Sequence, residues 1–372
     1  MQTLGIDPED IRIDYYELDI PPVLENALGP LYQNIHSCLA YFKLYSAVKD
    51  INSYVERRHH QITAIFLFEF KNGKITVLNQ FIKADQEQVE RFSRFVFTRF
   101  GTATLIIFPV IETVINRLSF PFRQATLTDD FIVPLPKTVA HYEAGLGKST
   151  RRTTRACINK LHKKYSDVRF EFYENDAVDE QHIRCIANMH KARLRTQHVP
   201  VDALVTERRV KLAKECDTMV GLVRIDGRIC AGSISYRVGD HYFASMLAHD
   251  PHYNADRVGF LCAYHTVCES IKRHAKAYHF GQSRFRYKEN LLCVRHPMNH
   301  VEIFRSRGQL IRHYRRVIKM IFKGSILRLE LWSNDPVRQA HALPRGIINT
   351  IHFVRRLYTL AGALLCRITS RR

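Results

Sequence analysis

Apolar positions recur along this chain with two periods. In residues 24–48, Leu28, Leu31, Ile35 and Leu39 fall near a 3.6-residue spacing, which predicts a helix. Residues 61–70 are rich in β-branched and aromatic side chains and run into Asn72-Gly73. That pair tolerates the positive φ of a type I′ turn, so a hairpin is expected, with 74–81 as its returning strand. Residues 85–100 place Val89, Phe92, Phe95 and Val96 on one helical face. Residues 102–109 form an apolar run that reads as a strand buried on both faces.

The alternation resumes after residue 140. A basic helix is expected over 149–165 and a strand over 168–173. A longer helix over 179–195 carries Ile183, Ile186, Ala187 and His190. Strands follow at 218–225, 228–237 and 241–248, separated by Asp226-Gly227 and Gly239-Asp240 turns. A loop over 249–258 leads into a helix over 259–274 and a short strand over 277–281. Beyond residue 304 the pattern changes. Leu310, Ile311, Tyr314, Ile318 and Ile321 form an apolar stripe among Arg312, Arg315, Arg316, Lys319 and Lys323. A stretch of similar character spans 347–368, after breaks at Asn334-Asp335-Pro336 and Leu343-Pro344.

The length of 372 residues allows two or three domains. A hydrophobic share of 46% with 25% charged residues excludes wholesale disorder. Nine cysteines, an odd number without a CxxC pair, argue against a disulfide framework or a zinc ribbon, and a reducing cytoplasm is the expected home. The acidic start reads as no secretory leader. The longest apolar runs, near 105–111 and 360–366, fall well short of the ~18 residues a spanning helix needs.

Charge narrows the partners. Lys and Arg number 56 against 36 acids, a net +20, which predicts a polyanion: nucleic acid, an anionic membrane or a phosphate-rich cofactor. Much of the surplus lies in 305–372, where Glu330 and Asp335 are the acids. Basic amphipathic helices rest in the interface of anionic membranes, so residues 310–368 are a candidate for peripheral contact. The alternative is that the stripes pack on the protein and expose solvated charge. A second basic run, Arg151, Arg152, Arg155, Lys160, Lys163 and Lys164, either lines a channel for an anion or forms a solvated face.

The strongest local signal for chemistry spans 241–274. A strand runs into a loop, and the loop opens a helix near Gly259. A helix N-terminus offers free N–H groups and a positive dipole end to phosphate. Gly259 lets an anion approach the backbone closely, and Arg257 adds a charge. The alternative is a glycine that starts a helix packed on a sheet. His296 and His300 have metal-like spacing without a third ligand, so no metal is expected. Cys262 and Cys268 read as core.

Several ordered pieces carry a family resemblance: DDFIVPLP (129–136), STRRTTRACINKLHKK (149–164), VRFEFYE (168–174), the segment 225–261 with its strand–DG–strand–strand–loop–glycine order, and YHFGQSRFRYKENLL (278–292). Together they resemble the GNAT superfamily of acyl-CoA N-acyltransferases, specifically its CelD-type branch, associated with bacterial cellulose biosynthesis. Residues 1–125 resemble the weaker first half found in this branch and in the related FemABX peptidyltransferases. The resemblance implies an α/β fold of two GNAT-like units, the first degenerate (1–128) and the second the acyltransferase domain (129–304), followed by the basic helical tail (305–372). The wider superfamily writes its pyrophosphate loop as Gln/Arg-x-x-Gly-x-Gly/Ala, of which Gly259 survives here.

The resemblance implies acetyl-CoA or another acyl-CoA as donor, an amine or hydroxyl as acceptor, and donor docking at Asp256, Arg257, Val258, Gly259 and Phe260. In the FemABX relatives the donor is an aminoacyl-tRNA instead. A third alternative is a catalytically inactive binding module. Acyl transfer needs a base for the nucleophile, a polarised carbonyl and an acid for the leaving thiolate. In GNAT enzymes the fourth strand of the domain, here 241–248, holds the carbonyl with its backbone. His249 at its end is a candidate base, Tyr287 a candidate acid, and Lys288 is tied by resemblance to the reaction centre or to phosphate.

Overall fold

The computed structural model describes residues 2–7, 11–45, 50–196, 204–282 and 285–333. The stretch expected at 347–368 lies outside the described residues, as do Arg371 and Arg372.

The first half opens with an antiparallel pair, β1 (Gln2–Asp7) and β2 (Ile11–Tyr16). The helix expected over 24–48 is broken into α1 (Pro22–Tyr32) and α2 (Leu39–Tyr45). Gln33 is left-handed at φ 43°, and its N–H donates to the Gly29 carbonyl at 2.8 Å, which ends α1. Asn34 then accepts from the His36 N–H at 2.8 Å, a local bond that competes with helix continuation.

β3 (Asn52–Arg58), β4 (Gln61–Lys71) and β5 (Lys74–Val77) form a meander. Asn72 and Gly73 take φ 52° and 69°, closing the β4–β5 hairpin as the sequence predicts. After the short β6 (Ile82–Lys83), α3 (Gln86–Arg99) starts at Asp85. The Asp85 carboxylate accepts from the Gln88 N–H at 2.7 Å, and the Gln88 side chain accepts from the Asp85 N–H at 3.0 Å, a capping box. β7 (Leu105–Glu112) runs parallel to β5. Phe66, Phe68, Phe92 and Phe108 pack between α3 and these strands.

The second half comprises β8 (Phe122–Pro134), α4 (Val139–Gly145), α5 (Lys148–Lys164), β9 (Val168–Glu174), α6 (Glu180–Thr196), α7 (Val205–Glu215), β10 (Thr218–Ile225), β11 (Arg228–Val238), β12 (His241–His249), α8 (Val258–Lys272), β13 (Ala277–His279), α9 (Arg286–Asn290) and β14 (Val294–Phe304). Val267 and Ile271 of α8 pack on one face of the sheet. Ile183 and Ile186 of α6, with Val210 and Leu212 of α7, pack against Ile234 and Met246. Asp226 and Gly227, at φ 47° and 81°, make the turn between β10 and β11.

The chain forms one continuous sheet in the order β1-β2-β3-β4-β5-β7-β14-β8-β13-β12-β11-β10-β9. β14, which follows the expected final strand, lies between β7 of the first half and β8 of the second, antiparallel to both. The two halves are thereby hydrogen-bonded through a strand that belongs to neither pattern read from the sequence. β8 starts at Phe122 and runs through the 128/129 division.

The strand arrangement creates one opening. β12 and β13 pair in parallel from His241↔Ala277 to Phe243↔His279. There β13 ends, and the chain turns away through Gly281 at φ 66°. β12 continues to His249 with β11 as its partner. A bulge falls at the parting point: Ser235 faces Ala244 and Ile234 faces Met246, leaving Ser245 unpaired.

Two further helices, α10 (Arg307–Arg312) and α11 (Tyr314–Ser333), follow β14. Their inward positions are Leu310, Val317 and Met320. Four of the five residues read as the apolar stripe point outward: Ile311, Tyr314, Ile318 and Ile321 are 67%, 52%, 60% and 48% exposed. The expected alternative, in which this stripe packs on the domain, does not hold for these four. The reason is that α11 is anchored from a neighbouring face, where Arg316 pairs with the buried Glu302 of β14. No helix among the described residues is long and apolar enough to cross a membrane.

Candidate active site

The parting of β12 from β13 opens a cleft of about 450 Å³ bounded by β12, the N-terminus of α8, α6 and α9. Of the sequence-predicted residues, Lys288, Tyr287, His249, Arg257, Gly259 and Phe260 line it. These come from three separate elements that only the fold brings together.

Lys288 is 2% exposed. Its Nζ donates to the carbonyls of Phe280 at 3.0 Å, Gly281 at 3.0 Å and Gln282 at 2.8 Å. It also lies 5.0 Å from the centre of the Phe131 ring. Burial lowers its pKa from the usual lysine range to about 8. The ammonium thus pins the chain where it leaves β13 and puts positive charge at the cleft.

Tyr287 is half-buried, with its ring 5.9 Å from Phe280 and 5.9 Å from Phe285. Burial pushes its hydroxyl up to about 12, so it holds its proton at neutral pH and can act as a donor.

The α8 terminus is built for close approach. Arg257 is left-handed at φ 54° and occupies the N-cap position without a side-chain cap. The first turn has no side-chain cap, and its Gly259 and Phe260 line the cleft. A Cβ on Gly259 would lie 2.6 Å from His249 Nδ1, so the helix packs against β12 only because residue 259 has no side chain. His249 Nε2 bonds Asn254 Oδ1 at 2.7 Å, which fixes its ring beside Gly259.

Two residues of the expected donor loop face elsewhere. The Asp256 carboxylate is buried and paired with Lys160 at 3.0 Å and Lys164 at 2.7 Å, and it accepts from the Tyr165 hydroxyl at 2.9 Å. Those partners hold its pKa down at about 2 against the opposing effect of burial. Val258 is fully buried in the core beneath α8, with Leu161 and Leu261. Asp256 also answers the question left by the basic run on α5: two of its six cations tie that helix to the loop. Arg151 donates to the Ala144 carbonyl at 2.6 Å.

Sequence reading missed His190 and Arg193 of α6, which form the opposite wall. Arg193 bonds His190 Nδ1 at 3.2 Å, and burial lowers His190 to about 4. A histidine on the apolar side of a helix was a usable signal. No cluster of His, Cys, Asp or Glu with metal-ligand geometry occurs among the described residues.

Residues 148–289 match the family model described as an acetyltransferase (GNAT) domain. No curated protein matches the chain. The fold is similar to that of FemX, with a TM-score of 0.57 at 9% identity, over 79% of this chain and 98% of that one. A conserved protein of unknown function from Bacteroides thetaiotaomicron aligns at a TM-score of 0.46 and 12% identity, over 78% of this chain and 99% of that one. A tandem GNAT protein from the clavulanic acid biosynthesis pathway aligns at 0.40 and 8% identity, over 78% and 97%. Residues 148–289 are thus similar in sequence to the GNAT acetyltransferase domain, and over 79% of the chain the fold is similar to that of FemX.

Proposed function

We propose that the protein is an acyltransferase that takes its acyl group from a coenzyme A thioester and transfers it to an amine or hydroxyl. The observation that carries this reading is the cleft where β12 parts from β13, which collects Lys288, Tyr287, Arg257 and the open N-terminus of α8. The pyrophosphate would meet the first-turn N–H groups and Arg257. The thioester would lie along β12, where the bulge takes the Ser245 N–H out of the ladder and the carbonyl oxygen could accept from it. Tyr287 would return a proton to the thiolate. The ordered motifs at 225–261 and 278–292 support assignment to the CelD-type branch, and with it an envelope or polysaccharide precursor as acceptor.

The test is titration of acetyl-CoA into the full-length protein, then into Arg257→Ala and Lys288→Ala. Saturable binding weakened by Arg257→Ala supports the reading. The second reading, an aminoacyl-tRNA donor, is favoured by the likeness to the FemX fold and the net charge of +20. Absent coenzyme A binding, together with a salt-sensitive tRNA shift, would select it.

We also propose peripheral contact with anionic membrane through the outward face of α10 and α11. Ile311, Ile318 and Ile321 lie there beside Arg312, Arg315 and Lys319.

A further inference from the structure

A second cleft, of about 360 Å³, lies on the other side of the parting strands. Ala244, Ser245, Phe280 and Gln282 line both clefts, so the two meet where β12 leaves β13. The linker between α1 and α2 and the start of α7 complete its walls.

One end of this cleft is acidic. Asp130 of β8 lines it and is 6% exposed. Its Oδ2 bonds His279 Nδ1 at 2.7 Å, and His279 Nε2 bonds His241 Nδ1 at 3.1 Å. Asp130 Oδ1 has no hydrogen-bond partner among the described residues. A buried carboxylate oxygen without a donor is costly unless something reaches it. His36 lies close by but is pushed down to about 4 by burial, so it brings no charge at neutral pH. The Lys288 ammonium acts on Asp130 from a distance, while its own donors are taken by three carbonyls.

The other end is basic, and aromatic rings join the two. His36 stacks on Phe81 at 4.6 Å and meets Tyr41 edge-on at 4.9 Å. Tyr41 stacks on Tyr45 at 4.4 Å, and the Arg208 guanidinium lies 5.4 Å from the Tyr45 ring. Arg209 beside it donates to the Val205 and Ser245 carbonyls, and its Nε is buried without a hydrogen-bond partner among the described residues. Ring faces with a carboxylate stabilise an ammonium more than a hydroxyl, because the cation gains from both. Guanidinium groups at the far end suit a carboxylate or phosphate.

We propose that this cleft binds the acceptor, a primary amine that carries an anionic group, and that Asp130 takes a proton from the amine. The proposal rests on the acyl-CoA reading above. The ammonium gives one proton to Asp130 Oδ1. The freed lone pair attacks the acyl carbon, a C–N bond forms and the C–S bond breaks. The thiolate takes a proton from the Tyr287 hydroxyl, which regains one from the product nitrogen as the amide forms. Asp130 releases its proton to solvent, for a net loss of one. His279 is a positioning residue, fixing the Asp130 carboxylate through Oδ2. His249, bonded through Nε2 to Asn254, is not required as the base.

The experiment uses the full-length protein, acetyl-CoA and three probes: ε-aminocaproate (amine and carboxylate), hexylamine (amine alone) and ε-hydroxycaproate (hydroxyl and carboxylate). Thiol release is followed for wild type, Asp130→Asn and Arg208→Ala. We expect ε-aminocaproate to stimulate release most. Asp130→Asn should lower kcat on the order of 10²-fold, with acetyl-CoA affinity unchanged. Arg208→Ala should raise KM for ε-aminocaproate and leave that for hexylamine unchanged. Equal stimulation by all probes, no stimulation by any, or near-normal turnover in Asp130→Asn overturns the proposal. If wild type binds no acetyl-CoA, the donor reading fails instead. Calorimetric titration with ε-aminocaproate alone then decides the cleft: binding lost in Asp130→Asn upholds it, and no binding by wild type overturns it.

Discussion

Lys288 ties the fold together at the cleft proposed as the active site. Its ammonium satisfies three carbonyls where the chain turns away from β13, and burial lowers its pKa to about 8. If the ammonium is the working form, acyl transfer should decline as pH rises through about 8, and Lys288→Ala should reduce turnover on the order of 10²-fold. A rate profile flat between pH 7 and 9, or a loss of only a few-fold in Lys288→Ala, would assign Lys288 to structure alone. The same shift has a stability consequence. Between about 8 and the ordinary lysine value the unfolded chain binds the extra proton, so this group makes stability rise with pH across that window. Denaturant unfolding of wild type against Lys288→Met, compared across the window, isolates the effect. Wild type should gain on the variant as pH increases. Tyr287→Phe removes the proposed proton donor but keeps the ring contacts, so kcat should drop while acetyl-CoA affinity holds.

At the level of elements, the cleft proposed for the donor depends on how tightly α8 closes on β12. The contact between Gly259 and the His249 ring sets that distance. Gly259→Ala should cost about 1–3 kcal/mol through overpacking and should weaken acetyl-CoA binding by pushing the α8 terminus outward. His249→Ala removes the obstructing ring. The double variant should therefore be more stable than the sum of the single losses implies, as thermal or denaturant unfolding would show. Strict additivity would mean that α8 is placed by its other contacts. α5 is held differently, by Lys160 and Lys164 on the buried Asp256 and by Arg151 on the Ala144 carbonyl, which leaves Arg152, Arg155 and Lys163 exposed to solvent or an anion.

For the molecule as a whole, β14 and the helices after it matter most. β14 joins the halves into one sheet, and Arg305 donates to the carbonyls of Phe97, Phe100 and Ala103, each at 2.6 Å, clamping the end of that strand. α11 then lies on β8 with its outward apolar positions beside cationic ones. The membrane proposal is tested by substituting exposed positions rather than by truncation, which would uncover Phe304 and Leu105. Full-length protein should sediment with phosphatidylglycerol-containing vesicles at low salt and less so as salt rises. Ile311→Glu with Ile318→Glu and Ile321→Glu should abolish this. Equal sedimentation of the two proteins, or none by wild type, would remove the proposal.

Local signals in the sequence determined much of this protein. The Asn72-Gly73 and Asp226-Gly227 turns, the amphipathic face of α3 and the strand–loop–helix around Gly259 all lie where backbone preference and apolar spacing put them. Such features need only neighbours in the chain, so they can be read there. Six residues of the cleft beside α8 were legible in the same way, because they sit at the ends of readable elements, whereas His190 and Arg193 on its opposite wall were not. Long-range pairing was not legible. β14 carries Pro297 and polar residues that disguise a strand, and it becomes one because β7 and β8 present edges on both sides. The outward turn of Ile318 and Ile321 on α11 follows from the anchorage of Arg316 on Glu302, a residue on another element. Asp130 and His279 are far apart in sequence and meet because β8 and β13 are adjacent strands. An acid within an apolar strand was the one trace they left. What that carboxylate faces is decided by the packing of both halves around a single opening in the sheet.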